Sequence, residues 1–433
     1  MNKITLTEFA NNEWREFSLY TIEERAIPSM IDGFKPVHRF IMHSALKCAN
    51  KSSAKVTAIA GAVAEYGYHH GETNAQGATQ LMAADWCNNQ PLLLGDGNFG
   101  DRLVPEGGAA RYVFAQIHPR FHQIYQDLDM CPAHVDDEHI PPRYYLPIIP
   151  MVLVNGVKGI ATGYATDILP HDIRQVTDLC IKYVKGKDIS QELMIPKFYD
   201  FTGKLTANPK GGWDQVGKIT LVGKTTALIS ELPFKYDRES YIEVLDALEA
   251  SDTILRYEDE CDIDGFKFRV DLKRGFDTKS NEELIKIFSL SSSVTQNLTV
   301  LDQDRKLRKY STPNELIKDF CDFRLPFYSD RIAKRLAESE HNFKVAVAKI
   351  KFIGMILGQQ LDFKGKTKAA LTKELTATFD KDIVPSLLGM EFYSLTKDEI
   401  VVQMGKAKAL DSKRNYWKNA TPAGLFIEDL EQI

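Results

Sequence analysis

Asp32-Gly33-Phe34-Lys35-Pro36-Val37-His38-Arg39 opens the first strongly patterned region of this chain of 433 residues. Proline is well tolerated in the first turn of a helix, because the N–H that it lacks would have no partner there. The apolar residues that follow have helical spacing: Val37, Phe40, Ile41 and Leu46. Arg39 and His43 lie four residues apart on another face. We therefore predict a helix from Pro36 with basic side chains outward, which suits a DNA-binding helix and equally an ordinary surface helix.

The segment before this helix, residues 1–30, forms an N-terminal arm with large apolar side chains. Their spacing is roughly helical: Leu6, Phe9, Trp14, Phe17 and Tyr20. Aromatic side chains bury a large area when they pack, so a row of them indicates a contact surface. We expect the arm to pack against the rest of the chain or against a partner.

The composition indicates a globular protein of two or three domains. Chains longer than about 250–300 residues usually divide into domains, and 44% apolar with 26% charged residues is ordinary for such proteins. The six cysteines are scattered without a CxxC pair, which favours reduced thiols over a disulfide framework or a zinc site. A net charge of −5 leaves nucleic acid open as a partner, because one basic face is enough to bind it.

Membrane insertion and secretion are not indicated by the sequence. No run approaches the roughly 20 apolar residues that a membrane span needs. The beginning, Met1-Asn2-Lys3-Ile4, lacks the apolar run of a signal peptide. We expect a cytoplasmic protein.

The middle of the chain has a mixed α and β pattern. The prolines at positions 141, 142, 147 and 150 suggest a domain boundary near residues 145–150. The run Val152-Leu153-Val154-Asn155-Gly156 is interpreted as a strand that enters a tight turn. Residues 215–275 alternate as strands do, at Ile219, Leu221, Phe266, Phe268, Val270 and Leu272. A helix is predicted near residues 239–250.

The last part of the chain, from about residue 314, is predicted to be helical. Its apolar seam has steps of four and three, typical of a coiled coil: Ile332, Leu336, Ser339, Phe343, Ala346, Ile350, Ile353 and Leu357. A second helix through residues 405–419 is expected to run back along the first. Residues 360–400 between them carry enough apolar residues for a small globule, namely Leu371, Leu375, Ile383, Leu387, Leu388, Met390 and Phe392. Such a globule would gain stability from an isologous contact with its twofold mate.

Three motifs suggest other chemistry on first inspection. Gly95, Gly97 and Gly100 match the dinucleotide pattern GxGxxG, but Pro105 follows where a helix N-terminus should begin, so a tight loop is favoured over a dinucleotide site. His118 and His122 have helical metal-ligand spacing without a third ligand, which favours a surface pair. Residues 136–139 combine three carboxylates with a histidine just before a double proline, and a solvated loop is the better interpretation.

The segment Ala109-Ala110-Arg111-Tyr112-Val113-Phe114 places a guanidinium next to a phenol. A tyrosine nucleophile needs such help, because the reference pKa of tyrosine is about 10. The cation can stabilise both the phenolate and the extra negative charge of a pentacovalent phosphate. His69 and His70, adjacent to Gly71, could likewise approach an anion or relay a proton, although a structural histidine pair fits them equally well.

Five motifs, in this order, resemble the cleavage subunits of type IIA DNA topoisomerases. They are residues 32–39, Tyr68-His69-His70-Gly71-Glu72, Gly97-Asn98-Phe99-Gly100, Ala110-Arg111-Tyr112, and residues 150–156 with 159–163. The resemblance continues through Glu231-Leu232-Pro233 into the heptad helix and so covers most of the chain. The adjacent His69 and His70 are similar to the pattern of eukaryotic and bacteriophage members.

The resemblance implies an α+β multidomain fold. After the arm at residues 1–30 would come a winged-helix DNA-cleavage domain (31–147) and a mixed α/β tower or shoulder domain (148–322). A long coiled coil with a small helical dimerisation globule, the C-terminal dimer gate, would complete the chain (323–433).

The resemblance also implies roles for individual residues. Tyr112 would be the nucleophile that forms a 5′-phosphotyrosyl link to DNA. The other catalytic residues would be Arg111, His70, His69 and Arg39. DNA contacts would come from Lys35, His38, Arg102 and Ile160. Among these, Ile160 would be the wedge that opens a base step, and none of these residues would bind a metal.

Neither an ATPase region nor the acidic Toprim metal motif of the family is recognisable in this sequence. Mg²⁺ and ATP are therefore expected to be bound by separate ATPase/Toprim subunits and not by this chain alone. The expected assembly is a homodimer on double-stranded DNA, in the host-cell cytoplasm if the protein is encoded by a bacteriophage. The alternative function is that of a non-catalytic DNA-architectural protein with a winged helix and a coiled coil, which would form no covalent link to DNA.

Overall fold

The computed structural model describes residues 5–209, 211–361 and 365–433, which form two compact units. One unit comprises the chain up to Arg324 together with Asp429–Ile433, and the other is Leu325–Glu428. The division at Arg324 lies next to the predicted boundary between residues 322 and 323. The predicted boundary between residues 147 and 148 lies inside the first unit instead, because every residue from 145 to 154 is buried.

The arm consists of two short helices, α1 (Leu6–Asn11) and α2 (Glu13–Thr21), and a π-helical turn at Ile22–Ala26. Neither helix contains a buried residue. The π-helical turn, in contrast, packs against Ile27 and Leu301. The predicted helical spacing is confirmed from residue 6 onward, whereas residues 1–4 lie outside the described part of the chain.

A region of helices around a three-stranded antiparallel sheet follows the arm. Its elements are α3 (Pro36–Cys48), β1 (Ala54–Lys55), α4 (Val56–Gly61), α5 (Glu72–Ala83), β2 (Leu93–Asp96), β3 (Phe114–Ile117) and α6 (Pro119–Ile124). The strand order is β1-β3-β2, so β3 is paired on both sides and the residues just before it are firmly placed. The prediction of a helix that begins at Pro36 is confirmed, and α3 packs against α4 and α5.

The apolar run at residues 152–156 was predicted to be a strand, and this prediction is wrong. Most of it belongs to the buried helix α7 (Met151–Asn155), which starts after Pro150. A short, wholly buried apolar run has no periodicity that separates a strand from a helix. Gly156, at φ +68°, ends α7 and leads into the hairpin of β4 (Val157–Ile160) and β5 (Ala165–Ile168).

The following part of the first unit is mixed α and β, as predicted. Its elements are α8 (Ile173–Val184), β6 (Lys204–Ala207), β7 (Trp213–Val216), β8 (Lys218–Val222), β9 (Thr226–Glu231), α9 (Arg238–Ala250), β10 (Ile254–Asp259), β11 (Phe268–Leu272), α10 (Asn281–Ile287), β12 (Ser291–Val294), β13 (Leu298–Leu301) and β14 (Leu307–Tyr310). The sheets have the orders β10-β11-β9-β8, β12-β7-β6 and β13-β14. The predicted strands at 219–221 and 268–272 and the predicted helix α9 are confirmed, with Tyr241 of α9 packed beside Phe268.

The remaining elements are helical. They are α11 (Pro313–Leu357), α12 (Lys368–Leu375), α13 (Val384–Leu388), α14 (Lys397–Asn419) and α15 (Pro422–Leu430). Within the second unit the chain returns antiparallel to α11: Phe426 stacks on Tyr328, with ring centroids 4.6 Å apart, and the Arg414 guanidinium lies 4.5 Å from the ring of Phe343. The predicted returning helix through 405–419 is confirmed, although it begins earlier, at Lys397.

A small apolar core lies between α11 and α14, within the predicted globule at 360–400. It is formed by Ala348, Phe352, Leu361, Leu375, Phe379, Ile383, Val384 and Leu387. Leu388 and Met390 pack against this core, whereas Phe392 is 91% exposed. Residues 362–364 of the predicted range lie outside the described residues. No helix in the described part of the chain is long and apolar enough to cross a membrane.

Candidate functional site

Tyr112 lies on a turn immediately before the central strand β3. Its backbone N–H donates to the Ala109 carbonyl at 2.9 Å, and the carbonyl of Val113 accepts from the Val56 N–H at 3.1 Å. Val113 is buried, whereas the Tyr112 side chain is 71% exposed. The sheet thus fixes the backbone while the phenol projects into solvent, where a substrate can reach it.

Arg111 places its guanidinium over the ring of Tyr112. The Cζ atom lies 4.7 Å from the ring centroid, which is the geometry of a cation–π contact. A cation at this distance favours the phenolate over the neutral phenol. The two side chains that the sequence singled out are therefore together and both can face an anionic substrate.

The glycine-rich loop between β2 and β3 supports the turn at Tyr112. Gly97 (φ +112°) and Gly100 (φ +78°) have backbone conformations that disfavour other residues. The loop closes where the Gly108 N–H donates to the Asn98 carbonyl at 2.8 Å, and Gln80 of α5 donates to the Gly108 carbonyl at 2.6 Å. No helix follows this loop, since the chain continues to β3, so the dinucleotide interpretation fails and a tight supporting loop is the observed structure.

His69 and His70 lie just before α5, and their environments differ. His69 is exposed, whereas His70 is half-buried and its ring meets that of Tyr68 edge-on, with centroids 5.4 Å apart. The hydroxyl of Tyr20 from the arm lies 3.0 Å from Nε2 of His70. Burial, followed by the positive charges of Arg25 and His69, lowers the pKa of His70. At neutral pH this imidazole is therefore uncharged, so one ring nitrogen accepts a hydrogen bond and the other donates.

The start of α3 brings together Lys35 and His38. The Lys35 N–H donates to Nδ1 of His38 at 3.4 Å, which leaves the imidazole proton on Nε2. Burial, with the charges of Lys35 and Arg39, lowers the pKa of His38 to about 3, so its ring is neutral. The Lys35 ammonium donates to the Lys158 carbonyl of β4 at 2.7 Å, and burial lowers its pKa as well.

Arg39 is not directed toward solvent. Its guanidinium donates to both carboxylate oxygens of the buried Asp32 and to the Phe34 carbonyl, and the side chain is only 16% exposed. The structure thus gives Arg39 internal partners, and the sequence analysis missed Asp32. The available signal was Asp32-Gly33: at Gly33 (φ +73°) a Cβ atom would lie 2.7 Å from the backbone nitrogen of Val152.

Ile160 ends β4 at the hairpin and is 79% exposed. Its neighbour Ala161 instead packs against the cluster that includes Ile22 and Leu301. The carbonyl of Lys158, two residues earlier, accepts from Lys35. One large aliphatic side chain is thereby held out in solvent on a supported hairpin, as an intercalating wedge requires.

Arg102, which was expected to bind DNA, is a structural residue in this chain. Its guanidinium donates to Oε1 of the buried Glu231 at 2.8 Å and to the Leu232 carbonyl at 2.9 Å. It also lies 4.2 Å from the centroid of the Phe234 ring. Only 13% of the side chain is exposed, so its donors are committed to the protein and the expected DNA contact is corrected.

The remaining candidates have local roles. Nδ1 of His118 accepts from the Arg120 N–H at the start of α6, and Nε2 of His122 lies 2.8 Å from Oδ1 of Asn50. In the loop at 136–139, Oδ2 of Asp136 lies 3.1 Å from Nδ1 of His139. Among the described residues, no group of three or more His, Cys, Asp or Glu side chains is arranged to hold a metal ion.

The chain matches the DNA gyrase/topoisomerase IV family model, which describes the A-type chain of those enzymes, over residues 25–431. It is 40% identical to the DNA topoisomerase medium subunit of Enterobacteria phage T4 over 443 residues, covering 100% of this chain and 99% of that one. It is 29% identical to DNA topoisomerase 2 of Plasmodium falciparum and spans 34% of that protein. Its fold superposes on the solved DNA-binding, cleavage and re-ligation domain of Plasmodium falciparum topoisomerase II with a TM-score of 0.88 and 28% identity, covering 98% of this chain and 63% of the other.

Proposed function

The chain belongs to the DNA gyrase/topoisomerase IV family, and we propose that it cleaves and rejoins double-stranded DNA through Tyr112. It is thus a cleavage and religation subunit of a type II DNA topoisomerase, an isomerase. The observation that carries the assignment of the nucleophile is the exposed Tyr112 phenol under the Arg111 guanidinium, on a turn held by β3. We infer that α3–α5 with the sheet β1-β3-β2 form the winged-helix domain of the family.

The proposed reaction is a transesterification at a backbone phosphate. The phenolic oxygen of Tyr112 bonds to phosphorus, the bond to the 3′ oxygen of the neighbouring ribose breaks, and the DNA keeps a 5′-phosphotyrosyl end. The phenol gives up its proton, and the departing 3′ oxygen takes one. Because one phosphodiester replaces another, religation is the same reaction in reverse and needs no external energy. Arg111 would stabilise the negative charge of the pentacovalent transition state.

Other side chains would hold the DNA. His38 offers an Nε2–H donor, and His70, assisted by the exposed His69, would contact the scissile region as a donor or proton relay. Lys35 would contribute positive charge near β4. Contacts of this kind position the duplex without reading its sequence. Arg39 would act indirectly, because Asp32 and Phe34 already hold its guanidinium.

Ile160 would open a base step of the bound DNA. Its side chain is 79% exposed at the end of β4, so inserting it requires no unfolding of the protein. Unstacking costs a few kcal/mol per step, which contacts along the bent duplex would offset. The shoulder sheets between β6 and β14 would line that bent path.

A separate subunit would complete the enzyme. The relative that matches along nearly its whole length is a medium subunit, whose name implies other subunits, whereas the chain spans only about a third of the Plasmodium enzyme. We propose that ATPase/Toprim subunits bind the ATP and the Mg²⁺, and that the metal supplies positive charge at the scissile phosphate. The exposed apolar face of the arm, with Leu6 and Phe17 among its residues, is the proposed docking surface for such a partner.

The second unit would join two copies of this chain. Its globule leaves several large apolar side chains in solvent, including Phe392 (91% exposed), Tyr393 (75%) and Val401 (69%). A homodimer contact there would keep the two copies together while the DNA gate is open, as passage of a second duplex requires.

Relaxation of supercoiled DNA by the chain assembled with its ATPase/Toprim partner, with ATP and Mg²⁺, tests the proposal. We expect relaxation by the wild type and none by Tyr112→Phe, with DNA binding by the two proteins equal. Relaxation by Tyr112→Phe would refute the assignment of the nucleophile. Failure of the wild-type assembly to relax DNA would favour the DNA-architectural alternative.

A further inference from the structure

The arm reaches the candidate cleavage site at one hydroxyl group. Tyr20 is the penultimate residue of α2, and its Oη atom lies 3.0 Å from Nε2 of His70, with ring centroids 5.8 Å apart. The π-helical turn at Ile22–Ala26 follows directly, and its packing against Ile27 and Leu301 anchors the base of the arm. Insertions of this kind in helices often occur at functional sites, because they change the direction of the side chains around them.

His70 is fixed from its other sides by the helix–sheet region itself. The Tyr68 ring contacts the imidazole edge-on and packs in turn on Phe40 of α3, with centroids 5.6 Å apart. The backbone carbonyl of His70 accepts from the Asn74 side chain at 2.6 Å. These contacts set the position of the ring, but among the described residues the Tyr20 hydroxyl is the group that hydrogen-bonds its side chain.

We propose that Tyr20 is a positioning residue for His70, so that the arm completes the DNA-cleavage site. In the proposed arrangement the Tyr20 hydroxyl donates to Nε2 of His70. The imidazole proton is then confined to Nδ1, which becomes the donor available to the DNA. Since the rest of α1 and α2 is exposed, any partner that holds the arm also holds this hydroxyl in place. This consequence rests on the proposed function, in which a partner binds the arm.

The charged groups around His70 define the expected pH dependence. They are Arg25 and Glu24 of the π-helical turn and the neighbouring His69, while Tyr68 and Tyr20 supply neutral phenols. A hydrogen bond donated to the neutral imidazole stabilises that form against protonation. Removal of the donor should therefore raise the pKa of His70 and move the acid limb of the cleavage rate to higher pH.

Tyr20→Phe tests the proposal, because it removes the hydroxyl and keeps the exposed ring. Tyr183→Phe is the matched control: it deletes a hydroxyl that donates to Oδ1 of Asp322 at 2.9 Å, far from any histidine contact. In the complete assembly we expect Tyr20→Phe to slow single-turnover cleavage about 3- to 10-fold, the usual value of one hydrogen bond. We also expect its acid limb to lie at higher pH, and both properties to be unchanged in Tyr183→Phe.

NMR titration of the imidazole of His70 in the full chain gives a readout that does not depend on activity. The pKa of His70 should be higher in Tyr20→Phe than in the wild type, and the Nδ1–H tautomer should lose its dominance. An unchanged pKa, tautomer and cleavage profile in Tyr20→Phe would overturn the proposal. Loss of cleavage in Tyr20→Phe with an unchanged pKa and tautomer would overturn it as well. Covalent cleavage products from the wild type and none from Tyr112→Phe show separately that the proposed function holds.

Discussion

The carboxylate of Asp32 and the guanidinium of Arg39 form a two-pronged ion pair at the start of α3, with Oδ2–Nε at 2.7 Å and Oδ1–Nη2 at 3.1 Å. Asp32 is fully buried and also accepts from the backbone N–H groups of Phe34 and Tyr145. One carboxylate thus joins the loop before α3, the helix itself and the buried stretch that begins at Tyr145. This junction positions the residues proposed to hold DNA.

Asp32→Asn should destabilise the protein strongly. It leaves the charge of Arg39 without its partner in a nearly buried setting, which typically costs about 3–5 kcal/mol of unfolding free energy. Urea unfolding of the first transition measures this loss. Asp137→Asn, in an exposed loop, is the control and should change the free energy by less than about 0.5 kcal/mol. A loss for Asp32→Asn no larger than that of the control would show that the pair does not hold the junction together.

Arg102→Ala should affect stability and not DNA recognition. The change leaves the Glu231 carboxylate buried with one charged partner fewer, so we expect a loss of at least about 3 kcal/mol. A residue that contacts a phosphate would instead lower the slope of DNA affinity against salt concentration by about 1. Titration of DNA at several salt concentrations, under conditions where the variant is folded, separates the two cases. A reduced slope would restore Arg102 to the DNA-binding surface.

Phe392→Asp should weaken the homodimer without unfolding the globule. Its side chain is 91% exposed in the free chain, so a charge there is harmless until a twofold mate approaches. Loss of a central apolar contact typically weakens binding about 30-fold or more. Analytical ultracentrifugation measures the effect, with Leu255→Asp, at a position 56% exposed in the first unit, as control. An unchanged dimer would place the contact elsewhere. Changes at Leu388 or Met390 are less informative, because these side chains pack on the core of the globule.

The sequence predicted the elements with clear periodicity. The helix at Pro36, the strands at 219–221 and 268–272, helix α9 and the returning helix α14 all appear, because each has a distinct apolar period or a start signal. The run at 152–156 was wrong because every side chain in it is buried, which erases the period. The prolines near 147 suggested a boundary, yet burial of residues 145–154 joins the flanking parts into one unit.

The candidate site was less predictable than the fold. Arg111 and Tyr112 are neighbours in sequence, so their contact was predictable, and Ile160 lies exposed on a hairpin as a wedge should. Arg102 and Arg39 were expected to reach DNA, but each is held by a buried carboxylate distant in sequence or burial pattern. The contact of Tyr20 with His70 joins residues 50 positions apart. Pairings of this kind depend on the tertiary fold and have no signal in local sequence.

The central claim is that Tyr112 bonds covalently to a 5′ phosphate of cleaved DNA. The direct measurement is to stop the complete assembly during cleavage with denaturant, digest the protein and identify the nucleotide-bearing peptide by mass spectrometry. We predict a 5′-linked nucleotide on Tyr112 and no covalent product from Tyr112→Phe, although that variant still binds DNA. A nucleotide on another residue, such as Tyr68, or a covalent product from Tyr112→Phe would contradict the claim.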